Sequence, residues 1–199
     1  MNPLSFRKDA VLRLTRMLGK MCLFPFFHLS TEGLRYLPRK SAFILLPKHQ
    51  RWEDIPLLNL AIPRPLYYVA KHELFLNPLS GWYISSLGGI PLNRVRPLES
   101  RQSMRAMTEV LRNDEGLVVF PEGTYYRGTV GPGRSGVIRM IRSRAKAPFI
   151  PVGIEYSGKR GRTLAQIRLG RPVAETPEMD EREFLDQVMK EIARLSGLS

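Results

Sequence analysis

Cysteine is nearly missing from this chain of 199 residues: Cys22 stands alone, so no disulfide can close within it and no thiolate cluster can hold a metal. A reducing compartment suits that usage. Histidine is almost as scarce, and His28, His49 and His72 show no metal-ligand spacing. No serine sits in a Gly-x-Ser-x-Gly elbow, which argues against a serine hydrolase. Long apolar runs are missing too. The longest uncharged stretch, Leu74 to Asn93, has twenty residues, enough to cross a hydrocarbon core. Asn77, Pro78, Gly81, Gly88, Gly89 and Pro91 break it into short elements and turns. Met21 to Leu29 is shorter, is interrupted by Pro25 and leads to no small-residue cleavage site, so a cleaved signal peptide is not expected.

Acidic residues are in short supply, with 18 Asp and Glu against 31 Lys and Arg, a net charge of +13. The excess belongs to the body: residues 1–171 carry 28 basic and 11 acidic groups (+17), residues 172–199 three and seven (−4). An anionic partner follows, whether nucleic acid, an anionic membrane surface or a phosphorylated substrate, and charge alone does not choose among them. With 43% hydrophobic residues, the chain can bury the core of one ordinary globular domain.

The first 30 residues read as an appendage built on an amphipathic helix, Leu4 to about Leu23. Leu4, Val11, Leu14, Leu18 and Met21 fall on one face and Asp9, Arg13, Arg16 and Lys20 on the other. Two readings stay open: a helix docked on the core with its basic side solvated, or an interfacial helix in an anionic leaflet, with Phe24, Phe26 and Phe27 in the acyl boundary. Beyond Pro38, short apolar runs alternate with helical patterns, the signature of an α/β domain with a mostly parallel sheet flanked by helices. Strands are expected at Ala42–Leu46, Leu66–Ala70, Leu117–Phe120, Phe149–Ile154 and Gln166–Leu169. Helices are expected at Asp54–Leu60, Leu98–Asn113, Arg134–Arg144 and Pro177–Leu195, the last with Thr176 as its cap.

Four segments could carry chemistry. His49 and Asp54 follow the first strand, five positions apart. A continuous helix would splay them, whereas a strand-to-helix turn folds the carboxylate back onto the imidazole and makes a general base. A helix-capping Asp54 beside a surface histidine is the plainer reading. Gly88-Gly89 leads through a short extended piece to Arg94, which could grip a phosphate with two parallel hydrogen bonds. The apolar run Val118-Val119-Phe120 stops at Pro121 and places Glu122, Gly123 and Thr124 at the strand end where α/β sheets collect ligands. Glu122 there is either a ligand contact or a buried structural acceptor. The fourth segment, Pro148 to Ile154, reads on its own as core.

In this order, the four resemble the glycerolipid acyltransferase superfamily, and in particular bacterial 1-acylglycerol-3-phosphate (lysophosphatidate) acyltransferases. The likeness runs from about Pro47 to Ile154, including Lys71-His72-Glu73-Leu74 and Gly81-Trp82. It implies an N-terminal membrane-interface helix over residues 1–30 and an acyltransferase domain over 31–199. It also implies His49 as the catalytic base, Asp54 as its orienting partner, and Lys71 and Arg94 as candidates for the acceptor phosphate. Glu122, Gly123 and Thr124 would line the acceptor pocket, and Pro151 would shape the acyl-donor side. The family usually follows its glutamate-glycine-threonine with arginine and serine. Here Tyr125 and Tyr126 intervene, so either Arg127 reaches the same phosphate or the acceptor differs. Arg51 and Glu53 also stand where small or apolar residues are common. The implied partners are lysophosphatidate, an acyl-CoA or acyl-carrier-protein thioester and an anionic membrane surface, with no nucleic acid, no metal and no resident cofactor. The implied place is the cytoplasmic face of the membrane, held peripherally or monotopically.

The rival from another class is a non-catalytic basic binding protein with a footprint at Arg94/Arg96/Arg101/Arg105, Arg139/Arg142/Arg144/Lys146 and Lys159/Arg160/Arg162. It leaves His49, Asp54 and Glu122 without a role. A phosphate-binding loop at Gly128–Ser135 is disfavoured because arginine stands where lysine is required and Pro132 removes an amide.

Overall fold

The computed structural model describes residues 7–93, 97–144, 146–158, 161–174 and 179–198, with the backbone alone for 97–100. Six helices and seven strands are formed there: α1 (Asp9–Leu23), β1 (Phe27–Glu32), β2 (Phe43–Pro47), α2 (Asp54–Ala61), β3 (Leu66–Lys71), α3 (Pro78–Ser86), β4 (Gly89–Leu92), α4 (Pro97–Arg112), β5 (Gly116–Val118), α5 (Ser135–Arg142), β6 (Phe149–Ser157), β7 (Thr163–Leu169) and α6 (Glu181–Leu195). The strands make one sheet in the order β1-β7-β6-β2-β5-β3-β4, parallel throughout except between β6 and β7.

Every residue of β2, Phe43-Ile44-Leu45-Leu46-Pro47, is buried, as a central parallel strand covered on both faces requires. The two-residue period divides it between two cores. Ile44, Leu46 and Phe149 join Met107 and Val110 of α4, Ile138 of α5, and Phe184, Val188 and Ile192 of α6. Phe43, Leu45, Ile150 and Val152 join Leu57 and Leu58 of α2 on the opposite side. The C-terminal ends of β2, β5, β3 and β4 lie side by side, and the loops leaving them supply the site described below.

The α/β architecture expected from the sequence is present. Two elements were not expected, α3 and β1, the latter reading as Phe-His-Leu-Ser-Thr-Glu without a strong apolar pattern, and β4 was expected only as a short extended piece after the Gly88-Gly89 turn. Because β1 pairs along its whole length with β7, the boundary expected at residue 30 falls inside a sheet strand. The last helix starts later than expected: Asp180 caps it, its carboxylate accepting the Glu183 amide at 2.7 Å, while Thr176, Pro177 and Leu4 lie outside the described residues.

The helix α1 does not dock by its apolar face. Leu12 is buried, Arg16 donates to the Ile62 carbonyl at 2.8 Å, and the helix lies against α2 and α3. Leu14, Met17, Leu18 and Met21, spaced for one helical face, all point to solvent, Met17 and Met21 at 62% and 65% exposure. Among the described residues no helix is long and apolar enough to cross a membrane.

Candidate active site

The chain leaves β2 at Pro47, turns through Arg51, Trp52 and Glu53, and enters α2 at Asp54. That turn brings the two expected residues together: His49 Nδ1 lies 3.0 Å from Asp54 Oδ2. The same oxygen accepts the backbone N–H of Gln50 at 2.6 Å and of Arg51 at 2.8 Å, and Oδ1 accepts the Tyr156 hydroxyl at 2.6 Å. With a carboxylate as partner, Nδ1 carries the ring proton, and Nε2 on the opposite edge is left with its lone pair. Asp54 is fully buried, whereas His49 keeps 9% exposure. The imidazole stacks on Phe120, with centroids 3.9 Å apart, and Tyr125 lies tilted at 4.3 Å.

A second buried pair braces the first. Lys48 and Glu122 have no exposure, and the Lys48 ammonium meets both Glu122 oxygens at 2.9 Å and the carbonyl of Tyr126 at 2.7 Å. Glu122 also accepts the N–H of His49 at 2.9 Å and of Gly131 at 2.7 Å. The turn that carries it depends on Gly123, whose φ of +69° an L side chain resists. Gln50 adds a third tie, donating to the Ile154 carbonyl at 2.7 Å and accepting from the Gly128 amide at 3.0 Å.

His49 opens onto a cavity of about 640 Å³, a size suited to a small-molecule substrate. Its walls are mostly apolar, including Ile55, Val69, Leu74, Leu92, Val119, Phe120, Val137 and Met140. Three cations reach it: Lys71 from the end of β3, Arg134 ahead of α5, and Arg139 on α5, whose Nε is 3.6 Å from the Glu181 carboxylate. No carboxylate belongs to the lining among the described residues.

Of the expected substrate-binding residues, Lys71, Gly123 and Thr124 line this cavity. Glu122 does not: the second alternative holds, because the Lys48 ammonium and two amides draw its carboxylate into the interior as a structural acceptor. Pro151 is also outside the lining, buried on β6 opposite Leu46, and so is Arg127, which is exposed. Arg94 lies outside the described residues. Lys48, Gln50, Tyr156, Arg134 and Arg139 were not singled out for these places. Lys48 did carry a signal, a charge set directly after a wholly apolar strand. Tyr156 had none, being 102 residues from Asp54 in the chain.

Burial, and then the Asp54 carboxylate, push the Tyr156 phenol far above its usual range. Burial also raises Tyr68 and takes Tyr67 up to about 12. In the unfolded chain these phenols ionise near 10.0, so their stabilising contribution is complete below that pH and is lost as pH rises through the folded-state values. The urea midpoint should therefore fall between pH 10 and about 12. Tyr156→Phe should lower stability at pH 8 by about 2 kcal/mol, for one lost bond to a charged acceptor, but flatten the alkaline decline. An unchanged decline would remove Tyr156 as a source.

Residues 28–155 match the acyltransferase family. The chain is 32% identical over 126 residues to a 1-acyl-sn-glycerol-3-phosphate acyltransferase of Bacillus subtilis, covering 62% of this chain and 61% of that protein. It is 28% identical over 177 residues to a lyso-ornithine lipid O-acyltransferase of Pseudomonas aeruginosa, covering 88% and 62%. The crystal structure of the 1-acyl-sn-glycerophosphate acyltransferase PlsC from Thermotoga maritima superposes with a TM-score of 0.69 at 26% identity, covering 96% of this chain and 82% of that one. The chain spans 30% to 62% of the length of these and other curated relatives that it matches.

Proposed function

This chain belongs to the acyltransferase family, and from that premise we propose that it transfers a fatty acyl group from acyl-CoA or acyl-carrier protein to the free hydroxyl of lysophosphatidate, giving phosphatidate. The observation that carries this reading is a His–Asp pair opening onto an apolar cavity that three cations, and no described carboxylate, line.

His49 Nε2 takes the proton of the acceptor hydroxyl as that oxygen attacks the thioester carbonyl. Asp54, bonded to Nδ1, steadies the imidazolium. The tetrahedral intermediate collapses, the carbon–sulfur bond breaks, and the imidazolium returns the proton to the departing thiolate. The ester and the free thiol balance the step, and no acyl-enzyme is needed. Lys71, Arg134 and Arg139 hold the phosphate and so position the hydroxyl, and Arg94 is expected to add to them.

A lyso-ornithine lipid headgroup carries a carboxylate that these cations would accept, but also an ammonium for which the described lining offers no carboxylate, Glu181 standing outside it against Arg139; a phosphate monoester needs no such partner, which favours it. The outward apolar face of α1 and the charge of +13 support work at an anionic membrane surface on the cytoplasmic face, with α1 lying in the interface.

Lys71→Gln is expected to raise the acceptor KM about tenfold or more, with the thioester KM within about twofold. The same purified protein, offered lysophosphatidate, lyso-ornithine lipid and monoacylglycerol, should prefer the first. Equal effects on both KM values, or a preference for lyso-ornithine lipid, would count against phosphate as the recognised group.

A further inference from the structure

Besides α1, a second apolar face is left without a partner among the described residues. The 3-10 turn His72–Phe75, Leu76 and α3 form a ridge that carries Leu74, Leu76, Leu79 and Trp82 outward, Leu76 at 66% and Leu79 at 75% exposure. Exposed aliphatic residues in such a cluster mark an interaction surface rather than ordinary solvent-facing chain. The ridge adjoins α1: Thr15 Oγ1 and the Tyr83 hydroxyl are 3.1 Å apart, and the Lys8 ammonium sits 5.2 Å from the Trp82 ring centroid. At its other end Leu74 lines the cavity with Lys71 and Ile55. The ridge thus runs from the polar flank of α1 to the mouth of the site.

The chemistry along this path selects an occupant. Lys8, Lys71, and on α1 Arg13 and Lys20, flank the exposed Leu, Met and Trp side chains, with Asp9 and Glu73 as the exposed acids beside them. Long basic side chains around an aliphatic surface, with a tryptophan among them, suit the headgroup level of an anionic bilayer, where stems lie along acyl chains and cations reach phosphates. The cavity at the ridge end is mostly apolar, so a lipid tail could enter it without crossing water.

We propose that the His72–Ser86 ridge is a second membrane-docking element, seated with Leu76, Leu79 and Trp82 in an anionic leaflet beside α1, so that the cavity opens directly onto lipid. The choice of lipid rests on the membrane reading of α1 given above. The ridge and α1 together define a plane, which one amphipathic helix alone, free to roll about its axis, does not.

Trp52 and Trp82 are the two tryptophans of the chain, so Trp52→Phe makes Trp82 the sole reporter. Added to vesicles of phosphatidylglycerol and phosphatidylcholine, the full chain should show a blue shift of Trp82 emission and quenching by acyl-brominated lipid. Leu76→Glu with Leu79→Glu, both on the surface and outside the cavity lining, should weaken vesicle binding at least tenfold. Transfer to a monomeric short-chain lysophosphatidate should be unchanged in that variant. Trp82 still open to an aqueous quencher on vesicle-bound protein, or vesicle affinity equal to wild type in the double variant, would overturn the proposal. So would a lipid-free dimer that the two substitutions dissociate, which would make a second copy the occupant. Loss of short-chain transfer in the wild-type protein would instead sink the proposed reaction, leaving the vesicle measurement to judge the ridge by itself.

Discussion

His49→Ala is expected to lower kcat/KM for acyl transfer by about 10³-fold while leaving the fold in place. The imidazole supplies one hydrogen bond to Asp54 and stacks against Phe120 and Tyr125 at the edge of a cavity, so its removal enlarges a space that solvent already reaches. Asp54→Ala should match the kinetic loss and add a structural one. The carboxylate accepts two backbone amides and the Tyr156 hydroxyl besides the imidazole, and all of these donors would lose their acceptor in a buried site. Comparing urea midpoints with single-turnover rates separates the two: His49→Ala should move the rate alone, and Asp54→Ala both. A His49→Ala protein retaining more than about a tenth of the rate would exclude histidine as the base.

Glu122→Ala should be the most damaging single change to stability. It leaves the Lys48 ammonium at zero exposure without its counter-charge and strips the His49 and Gly131 amides of their acceptor. Breaking a buried ion pair by removing one member costs about 3 to 5 kcal/mol, a large share of the stability of an ordinary domain. Activity should fall with it, because the His49 backbone is bonded to that carboxylate. Glu122→Ala with Lys48→Met should recover part of the stability by removing the stranded charge, without recovering full activity. No gain in thermal melts over Glu122→Ala alone would mean that the stranded Lys48 charge is not the source of the loss.

The alternation of apolar runs and helical periods was enough to place the central strands and the helices α2, α4, α5 and α6, because these elements are buried on fixed faces, whereas α3 was missed. The edges of the sheet were not legible. β1 is mixed in character and gains its order from β7, 136 positions away in register, and β4 is a four-residue strand with a proline inside it. The spacing of His49 and Asp54 after an apolar strand allowed the pair but did not choose it over a helix-capping Asp54 beside a surface histidine; the 3.0 Å contact across the turn does. Glu122 was visible but ambiguous. Its partner Lys48 lies 74 positions away, and only the meeting of the β2 and β5 loops decides that its carboxylate turns inward. The arginines at the cavity were read as parts of a helix start and a basic cluster, because their approach to the site depends on how α5 is set against the strand ends. For α1 the pattern of faces was legible, but which face docks was not: polar contacts from Arg16 and Thr15 tie it down, and the apolar face turns away.

The most direct test of the central claim is to give the purified protein acyl-CoA labelled in the acyl chain, with lysophosphatidate in detergent micelles, and follow both the lipid products and the thiol. The proposed reaction predicts labelled phosphatidate formed in step with free thiol, one for one. Thiol released with the label recovered as free fatty acid, or no thiol released by a sample shown to be folded, would contradict it.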